Sequence, residues 1–220
     1  MNQPPIDPAS YIEHTLLDSA AVPSQLEQLC AEAVRYKFHG VCVAPCFVKR
    51  AREILYREKP VVCAVIGFPS GTHTPAVKLF EAQEAIANGA QELDVVLNLG
   101  LVKAGDSEAL YREIAPICEN RDIPVKAILE MPLLSLEEVT LAVDVCLSAG
   151  GSYLKTCTGW RGPATVEQVK LLSDHTRGKC GIKAAGGIRT LAQCWELISA
   201  GANRLGTSRG VSIMQEFLNY

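Results

Sequence analysis

Three ionisable residues lie in segments of strand length that carry few other charges: Asp94 in ELDVVLN, Lys155 in YLKTCTG and Lys183 in GIKAAGGI. Side chains alternate between the two faces of a strand, so Asp94 lies on the face opposite Leu93 and Val95. If the apolar face packs against helices, the Asp94 carboxylate points into the centre of the fold, where it needs a cation or hydrogen-bond donors. The two lysines are candidates for that cation.

The chemistry that two such lysines offer is Schiff-base formation. Two ammonium groups close together in a partly desolvated pocket lower each other's pKa, which leaves a fraction of one lysine as the free amine. A free amine attacks an aldehyde or ketone to form an iminium ion, an electron sink for making or breaking a carbon–carbon bond. Asp94 would move the protons, and the residues by themselves leave the choice between Lys155 and Lys183 open.

A purely structural ion network is the alternative interpretation of the same three residues. In that case Asp94 and one or both lysines would only hold the centre of the fold together. Lys126 and Glu130, both in the fifth predicted strand, are candidates for the same network.

Glycines cluster late in the chain, where they could cradle a phosphate group. Gly186 and Gly187 end one predicted strand, and the run from Gly206 to Gly210 ends the next. Backbone N–H groups bind phosphate most closely where glycine leaves room, and barrels often use the loops after strands seven and eight for this purpose. The alternative is that two glycines form a tight turn and Gly210 lies near the start of a helix.

Eight apolar runs of strand length alternate with amphipathic stretches of helix length along the whole chain, which is typical of βα units around a parallel sheet. The predicted strands are residues 12–17, 40–45, 61–69, 92–98, 125–131, 153–159, 181–188 and 204–208. Four glycines are expected to end helices in the left-handed conformation: Gly40, Gly89, Gly150 and Gly201.

The spacing of these glycines corresponds to one unit for about every 25–30 residues, and eight parallel strands are the number that closes a βα barrel. The sequence therefore predicts the α/β class, as a (β/α)8 TIM barrel, in one domain over residues 1–220 with a short N-terminal extension. A doubly wound open sheet is the alternative fold. The GxGxxG fingerprint that such a fold often carries after its first strand is absent.

The composition and net charge of the chain limit the kinds of molecule that it is expected to bind. The chain has 220 residues, 48% of them hydrophobic and 20% charged, with a formal net charge of −3. That charge offers no broad basic surface for nucleic acid. The longest apolar stretches are far below the roughly 20 residues that span a bilayer, so no membrane association is expected. The first residues lack the basic and apolar regions of a secretory signal, which predicts a cytoplasmic protein.

The nine cysteines indicate small core residues rather than disulfides or a metal site. Most lie in apolar segments, such as Cys63 in VVCAVIG and Cys146 in AVDVCLSAG. Cys42 and Cys46 are close in sequence, but no CxxC pair or paired histidine accompanies them, so no metal site is predicted.

The quoted segments together resemble the deoxyribose-phosphate aldolases, a family of class I aldolases on a TIM barrel. The resemblance runs in the family's order from IEHTLL through GVCVAP, AVIGFPSG, ELDVVLN, LKTCTGW and IKAAGGIRT to RLGTSRG. The two lysine segments, with the Thr-Gly and Gly-Gly sequences that follow them, are its most specific parts.

This resemblance implies reversible cleavage of 2-deoxy-D-ribose 5-phosphate into D-glyceraldehyde 3-phosphate and acetaldehyde, with no metal or organic cofactor. It implies a role in deoxyribonucleotide and carbohydrate catabolism, and a homo-oligomer. The family's Schiff-base lysine falls on Lys155, its second lysine on Lys183 and its proton-transferring aspartate on Asp94. Its phosphate-binding loops fall on Gly159, Gly186, Gly187, Arg189, Gly206 and Ser208.

Several positions depart from the family's usual residues. Cys157 stands where serine is usual, Trp160 where phenylalanine or a basic residue is found, and Arg209 where serine is frequent. Arg161 and Arg209 are candidate additional cations for the phosphate. Glu13 replaces a more frequent aspartate, whereas Thr15 and Cys42 are retained.

Two further hypotheses are weighed against cleavage of the deoxy sugar. One is a Schiff-base aldolase for another aldehyde or ketose phosphate, and the other is a sugar-phosphate-binding barrel without catalysis. A separate hypothesis concerns Tyr220, which on a mobile tail could reach the mouth of the site as a proton-relay group.

Overall fold

The structure, a computed structural model, describes residues 6–120 and 122–220. Its strands are β1 Ile12–Leu16, β2 Gly40–Val43, β3 Val61–Ile66, β4 Glu92–Val96, β5 Val125–Ile128, β6 Tyr153–Lys155, β7 Gly181–Ala185 and β8 Arg204–Thr207. They are all parallel and close into a barrel in chain order, because β1 pairs with both β2 and β8. The predicted (β/α)8 barrel is confirmed. The alternative prediction of a doubly wound open sheet is wrong, since the closed barrel has no open edge.

Helices connect successive strands around the barrel. They are α1 Pro23–Tyr36, α2 Val48–Ile54, α3 Pro75–Ala87, α4 Leu99–Lys103, α5 Ser107–Cys118, α6 Leu136–Ala149, α7 Val166–Thr176, α8 Leu191–Ser199 and α9 Gly210–Leu218. Short 3-10 turns lie at Ala9–Tyr11, Pro45–Phe47 and Met131–Leu133. Across the described ranges, no helix has the length and apolar character needed to cross a membrane.

Local sequence explains where several helices begin. The Ser135 side chain accepts a hydrogen bond from the backbone of Glu138, whose own side chain accepts one from the backbone of Ser135. Thr165 and Gln168 make the same reciprocal pair at the start of α7. Each pair satisfies N–H groups that have no partner inside the helix, and so determines the residue at which the helix begins.

Three of the four glycines expected to end helices have positive φ: Gly89 at 102°, Gly150 at 88° and Gly201 at 117°. The prediction for Gly40 is wrong, because α1 ends at Tyr36 and is followed by Lys37 with φ 57°, whereas Gly40 is the first residue of β2. A Cβ atom at Gly40 would lie 2.5 Å from the carbonyl oxygen of Val61. Glycine is required there by the close approach of β3.

The strands are shorter than the apolar runs that predicted them. The run 61–69 forms a strand only to Ile66, because Gly67 has φ 63° and turns the chain. The run 125–131 ends as a strand at Ile128, and Glu130 has φ 54°. The residues left over form the loops at the carboxyl ends of the strands, where barrels carry their sites.

The two faces of β4 have opposite surroundings, as the alternating pattern predicts. Leu93 and Val95 belong to the large apolar core between the strands and the helices. Asp94, between them, is fully buried on the other face of the strand, inside the barrel. The interior on this side also contains Cys42 and Cys63, so the centre of the barrel is polar while the surrounding layer is apolar.

Candidate active site

Strand register brings the three ionisable residues singled out in the sequence together. Lys155 and Lys183 are paired neighbours on β6 and β7, and Asp94 on β4 is paired with Lys126 on β5. Because residues on the same face of adjacent strands are close, all four side chains meet inside the barrel. The three lysines and Asp94 are buried, none with more than 2% of its surface exposed.

Asp94 accepts hydrogen bonds from all three lysines. Its Oδ2 atom lies 2.8 Å from Lys155 Nζ and 2.7 Å from Lys183 Nζ. Its Oδ1 atom lies 3.0 Å from Lys126 Nζ and 3.1 Å from Cys63 Sγ. One carboxylate oxygen therefore links the two candidate lysines directly, and a proton could pass between their nitrogens through it.

Two further carboxylates complete the charge balance of this group. Glu13 pairs with Lys183 and lies 3.4 Å from Lys126 Nζ. Glu92 lies 2.6 Å from Lys126 Nζ and 3.0 Å from His39 Nε2. The three ammonium groups of the interior are thus matched by three carboxylates, which is how a protein keeps buried charges in place.

The charges of the group change the pKa values of its members. Burial acts to raise the pKa of Asp94, but the nearby lysines Lys126, Lys155 and Lys183 outweigh it and hold that pKa well below its usual range. Burial acts to lower the pKa of Lys183, but the negative charges of Asp94 and Glu13 outweigh it and hold that pKa well above its usual range. Asp94 is ionised and Lys183 is protonated at neutral pH.

The expectation that two neighbouring lysines lower each other's pKa is therefore wrong for Lys183. The reason is that two carboxylates contact Lys183, Asp94 from β4 and Glu13 from β1, and the sequence does not predict the second. Coulombic attraction to two carboxylates exceeds repulsion between the ammonium groups. Lys183 is consequently a poor source of the free amine, which favours Lys155 as the nucleophile.

A cavity of about 650 Å³ opens at the carboxyl ends of the strands, and Lys155 lies at its floor. Lys183 is not among the residues that line it, so of the two lysines only Lys155 faces the space that a substrate would occupy. The lining residues are Thr15–Ser19, Lys155, Thr158–Trp160, Ala185–Arg189 and Gly206–Arg209. Both lysines bind Asp94, so access to the cavity is what distinguishes Lys155 as the candidate nucleophile.

Every residue assigned to the phosphate loops lines this same cavity: Gly159, Gly186, Gly187, Arg189, Gly206 and Ser208. Two of these glycines bring the loops after β6 and β7 together. A Cβ atom at Gly186 would lie 2.9 Å from Gly159 Cα, and both residues have positive φ. The backbones therefore touch without side chains between them, leaving room for N–H groups to approach an anion.

Glu130 does not belong to the group of charges inside the barrel, and that prediction is wrong. It lies beyond the end of β5 in the left-handed conformation, so its side chain does not follow the alternation of the strand. Its carboxylate instead accepts hydrogen bonds from the backbone and the hydroxyl of Thr158. Lys126, the other candidate from this segment, is part of the group.

Trp160 and Arg209, two of the positions that depart from the resembled family, line the cavity. The Trp160 ring packs edge-on against Phe68, with 6.0 Å between ring centroids. Arg161, the other candidate cation, is exposed and is not among the lining residues. Arg209 and Arg189 are therefore the arginines that the structure brings to the cavity.

Tyr220 is not among the residues that line the cavity, and its role as a proton-relay group stays a prediction. It follows α9, whose first residue, Gly210, comes directly after the cavity-lining Arg209. Its ring packs edge-on against Trp195 of α8, with 5.1 Å between ring centroids. In this position most of the Tyr220 side chain is exposed.

Clusters of potential metal ligands occur in the interior, but their carboxylates already form ion pairs with lysines. One contains Glu13, Cys42, Cys63 and Asp94, with ligand atoms within 4.8 Å of one another. Its carboxylates pair with ammonium groups, and Cys63 lies 3.2 Å from Lys126 Nζ. A divalent cation there would have to displace or face these ammonium groups, which opposes its binding.

Glu13 and Glu92 are partners of the central lysines that the sequence analysis does not predict. The position of Glu13 within the first strand, two residues before Thr15, is nevertheless a usable signal of inward orientation. A second buried pair that the sequence does not predict joins Lys78 on α3 to Glu113 on α5, with the charged atoms 2.9 Å apart. That pair lies in amphipathic helices, where charge normally faces solvent, so no sequence pattern marks it.

The pH dependence of stability should reveal the buried Glu92 carboxylate. Burial opposes ionisation, but the hydrogen bond from His39 and the charge of Lys126 lower the pKa of Glu92 to about 2. A carboxyl whose pKa is lower in the folded state contributes stability above its unfolded value of about 4.5 and loses it as the pH falls to about 2. We expect Glu92→Gln to be less stable than wild type by about 3 kcal/mol at pH 7.

The measurement is urea unfolding of both proteins between pH 7 and pH 2. The stability difference should shrink as the pH falls through this window, because the wild-type carboxyl then becomes neutral as well. Glu84→Gln, at an exposed position of α3, is the matched control and should match wild type throughout. A difference that stays constant down to pH 2 would contradict a lowered pKa of Glu92.

A (β/α)8 barrel whose glycine-rich cavity ends on a buried, carboxylate-bound lysine has the architecture of a class I aldolase, the class of enzyme that forms a Schiff base with its substrate. The sequence pattern of the DeoC/LacD family aldolases matches residues 10–216. The chain belongs to the DeoC/LacD family of aldolases.

Individual relatives agree with this assignment. The chain is 59% identical over 210 residues to the deoxyribose-phosphate aldolase of Cyanothece sp. (strain PCC 7425), covering 96% of this chain and 92% of the relative. It is 57% identical over 209 residues to that of Thermosynechococcus vestitus, covering 95% and 96%. The tetrameric deoxyribose phosphate aldolase of Aeropyrum pernix superposes with a TM-score of 0.90 at 34% identity, covering 96% of this chain and 91% of that one.

Proposed function

We propose that this protein is a class I aldolase that reversibly cleaves 2-deoxy-D-ribose 5-phosphate into D-glyceraldehyde 3-phosphate and acetaldehyde. The observation that carries the proposal is the position of Lys155 Nζ, which lies at the floor of the glycine-rich cavity and 2.8 Å from Asp94 Oδ2. The family of the chain and the names of its relatives support the same substrate.

The reaction begins at the amine of Lys155. The nitrogen, once it has given a proton to Asp94 or to water, attacks C1 of the open-chain aldehyde, and loss of water leaves an iminium ion. A base removes the proton of the C3 hydroxyl and the C2–C3 bond breaks. Its electron pair forms the C1–C2 double bond of an enamine, and D-glyceraldehyde 3-phosphate leaves. Protonation of C2 and hydrolysis of the iminium release acetaldehyde and restore Lys155.

Asp94 and Lys183 serve the proton transfers of this cycle. Asp94 Oδ2 accepts hydrogen bonds from both lysine nitrogens, so a proton can move between Lys155, Asp94 and water in the cavity. Lys183, protonated at neutral pH, adds a fixed positive charge beside the carboxylate. With Lys126 and Lys155, this charge keeps Asp94 ionised, so that the carboxylate holds both lysine nitrogens by hydrogen bonds.

The phosphate group of the substrate binds at the glycine loops that line the same cavity as Lys155. The candidate donors are the backbone N–H groups of the glycine loops and the Ser208 hydroxyl, with Arg189 and Arg209 as cations. The first residue of α9, Gly210, follows Arg209 directly, so the positive end of that helix also faces this region. Binding the phosphate there places C1 of the sugar toward the lysine.

A turnover assay tests the function. Purified protein is incubated with 2-deoxy-D-ribose 5-phosphate, and D-glyceraldehyde 3-phosphate and acetaldehyde are measured as separate products in equal amounts. We expect both products, and the reverse reaction from the two aldehydes. A panel containing unphosphorylated 2-deoxyribose and ketose phosphates serves as the comparison. Faster cleavage of a ketose phosphate would replace the proposal by a different aldolase, and no cleavage of any substrate would favour a binding barrel.

We also propose that the protein acts as a homo-oligomer in the cytoplasm. The tetrameric relative supports association, and the nine free cysteines suit a reducing compartment. Light scattering on the eluting protein measures the mass of the assembly, and a monomer at all concentrations would contradict association.

A further inference from the structure

The Glu130 side chain is a buried carboxylate that the proposed reaction does not use. Only 2% of its surface is exposed, and none of the central lysines contacts it. Both oxygens are directed at one residue of the cavity wall: Oε1 accepts from the backbone N–H of Thr158 at 3.2 Å, and Oε2 accepts from the Thr158 hydroxyl. A buried carboxylate whose two oxygens both accept hydrogen bonds from one loop residue holds that residue in place.

The backbone around Glu130 is arranged so that the carboxylate reaches Thr158. Leu129 N–H donates to the Lys155 carbonyl at 3.0 Å, and Met131 N–H donates to the Thr156 carbonyl at 2.9 Å. These bonds extend the β5–β6 pairing past the ends of both strands. Between them Glu130 adopts φ 54° and ψ 49°, a conformation that a residue with a Cβ atom rarely occupies.

Thr158 transmits this restraint to the remainder of the loop after β6. Its hydroxyl, which donates to Glu130, accepts from the backbone N–H of Trp160 at 3.1 Å. Gly159, between them, packs backbone to backbone against Gly186 of the next loop. A displacement of Thr158 would therefore move Gly159, and with it the contact between the two glycine loops.

We propose that Glu130 is a positioning residue for the phosphate-binding loops, acting through Thr158 on Gly159 and Gly186. The inference rests on the proposed function, because it concerns recognition of the phosphorylated substrate. Its consequence is selective: losing the carboxylate weakens binding of the phosphate end of the substrate, while Lys155, held by Asp94 from inside the barrel, keeps its chemistry.

The test compares Glu130→Ala, Glu130→Gln and Thr158→Val with wild type, using 2-deoxyribose 5-phosphate and unphosphorylated 2-deoxyribose. We expect Glu130→Ala to raise KM for the phosphorylated sugar about tenfold, with kcat within about threefold of wild type. For the unphosphorylated sugar, kcat/KM should stay within about twofold. Glu130→Gln, which keeps one acceptor oxygen, should have a KM between those of wild type and Glu130→Ala.

A double-mutant cycle separates positioning through Thr158 from other effects. Because Glu130 and Thr158 act as one unit, the variant carrying both Glu130→Ala and Thr158→Val should have about the same KM as either single variant. Glu84→Ala, at an exposed position on α3, is the control and should leave both kinetic constants unchanged. Thermal unfolding and the borohydride-trapped acetaldehyde adduct on Lys155 establish that the variants are folded and retain the nucleophile.

Equal losses on both sugars, or additive losses in the double variant, would overturn the inference. Calorimetric binding of inorganic phosphate to the same proteins provides a measurement that needs no turnover. If wild type binds phosphate but does not cleave the deoxy sugar, the proposed function fails, and weaker phosphate binding by Glu130→Ala still supports the inference. If the sugar is cleaved but phosphate binds all variants equally, the positioning role fails by itself.

Discussion

Lys155→Ala will remove the covalent adduct that acetaldehyde forms on the protein in the presence of sodium borohydride, and will lower kcat by at least about a thousandfold. The reason is that the iminium ion needs a lysine nitrogen in the cavity, and Lys155 is the lysine that lines it. The adduct is measured by intact mass and then located by peptide mass, and kcat is measured with 2-deoxy-D-ribose 5-phosphate.

Lys183→Ala is the informative comparison for this prediction. Because Lys183 is held by Asp94 and Glu13 away from the cavity, its removal should leave the adduct on the peptide that contains Lys155, while slowing turnover. Lys103→Ala, an exposed lysine, should behave as wild type in both measurements. An adduct that persists in Lys155→Ala and disappears in Lys183→Ala would reverse the assignment of the nucleophile.

Asp94→Asn should lower both activity and stability. Turnover is expected to fall by a factor of about 10²–10⁴, because the group that accepts a proton from Lys155 becomes a neutral amide. The free energy of unfolding is expected to fall by about 3–5 kcal/mol, because Lys126 and Lys183 lose the carboxylate they share. Steady-state kinetics and urea unfolding at neutral pH measure the two effects.

Glu92→Gln distinguishes the catalytic loss from the loss of charge balance. Glu92 pairs with Lys126 on the side of the group away from Lys155, and it does not line the cavity. We expect this variant to lose stability while keeping kcat within about threefold of wild type. If Asp94→Asn retained wild-type kcat, or if both variants lost activity equally, Asp94 would be a structural member of the network only.

The arrangement around Asp94 explains why two similar lysines have different roles. Lys183 is enclosed by two carboxylates, so its ammonium form is strongly favoured. Lys155 shares only the Asp94 carboxylate among its ion pairs in the described chain, and its nitrogen adjoins the cavity. The two lysines therefore differ in how many carboxylates contact them and in whether a substrate can reach them. These differences, and not the short distance between the two amines, make Lys155 the nucleophile and Lys183 its charged partner.

Much of the architecture could be predicted from the sequence because its causes are local. Alternation of apolar and polar residues sets the face of a strand on which Asp94, Lys155 and Lys183 lie. Apolar runs separated by amphipathic helices indicate a parallel barrel, and capping residues such as Ser135 determine where helices begin. The placement of Lys155 beside Lys183 follows from these local rules once eight strands are counted.

Other features depend on contacts between residues that are far apart in the chain, and only the tertiary structure decided them. Glu13 meets Lys183 across 170 positions and, together with Asp94, raises the pKa that the sequence predicts to be lowered. Glu130 lies outside the central group of charges because its φ of 54° turns the side chain toward the next loop. The periodicity of the sequence does not predict this conformation. The sequence by itself determined which residues face inward, since strand alternation is a property of neighbours. The balance of charge among them, and hence the chemistry of each lysine, arises only when barrel closure brings the strands together.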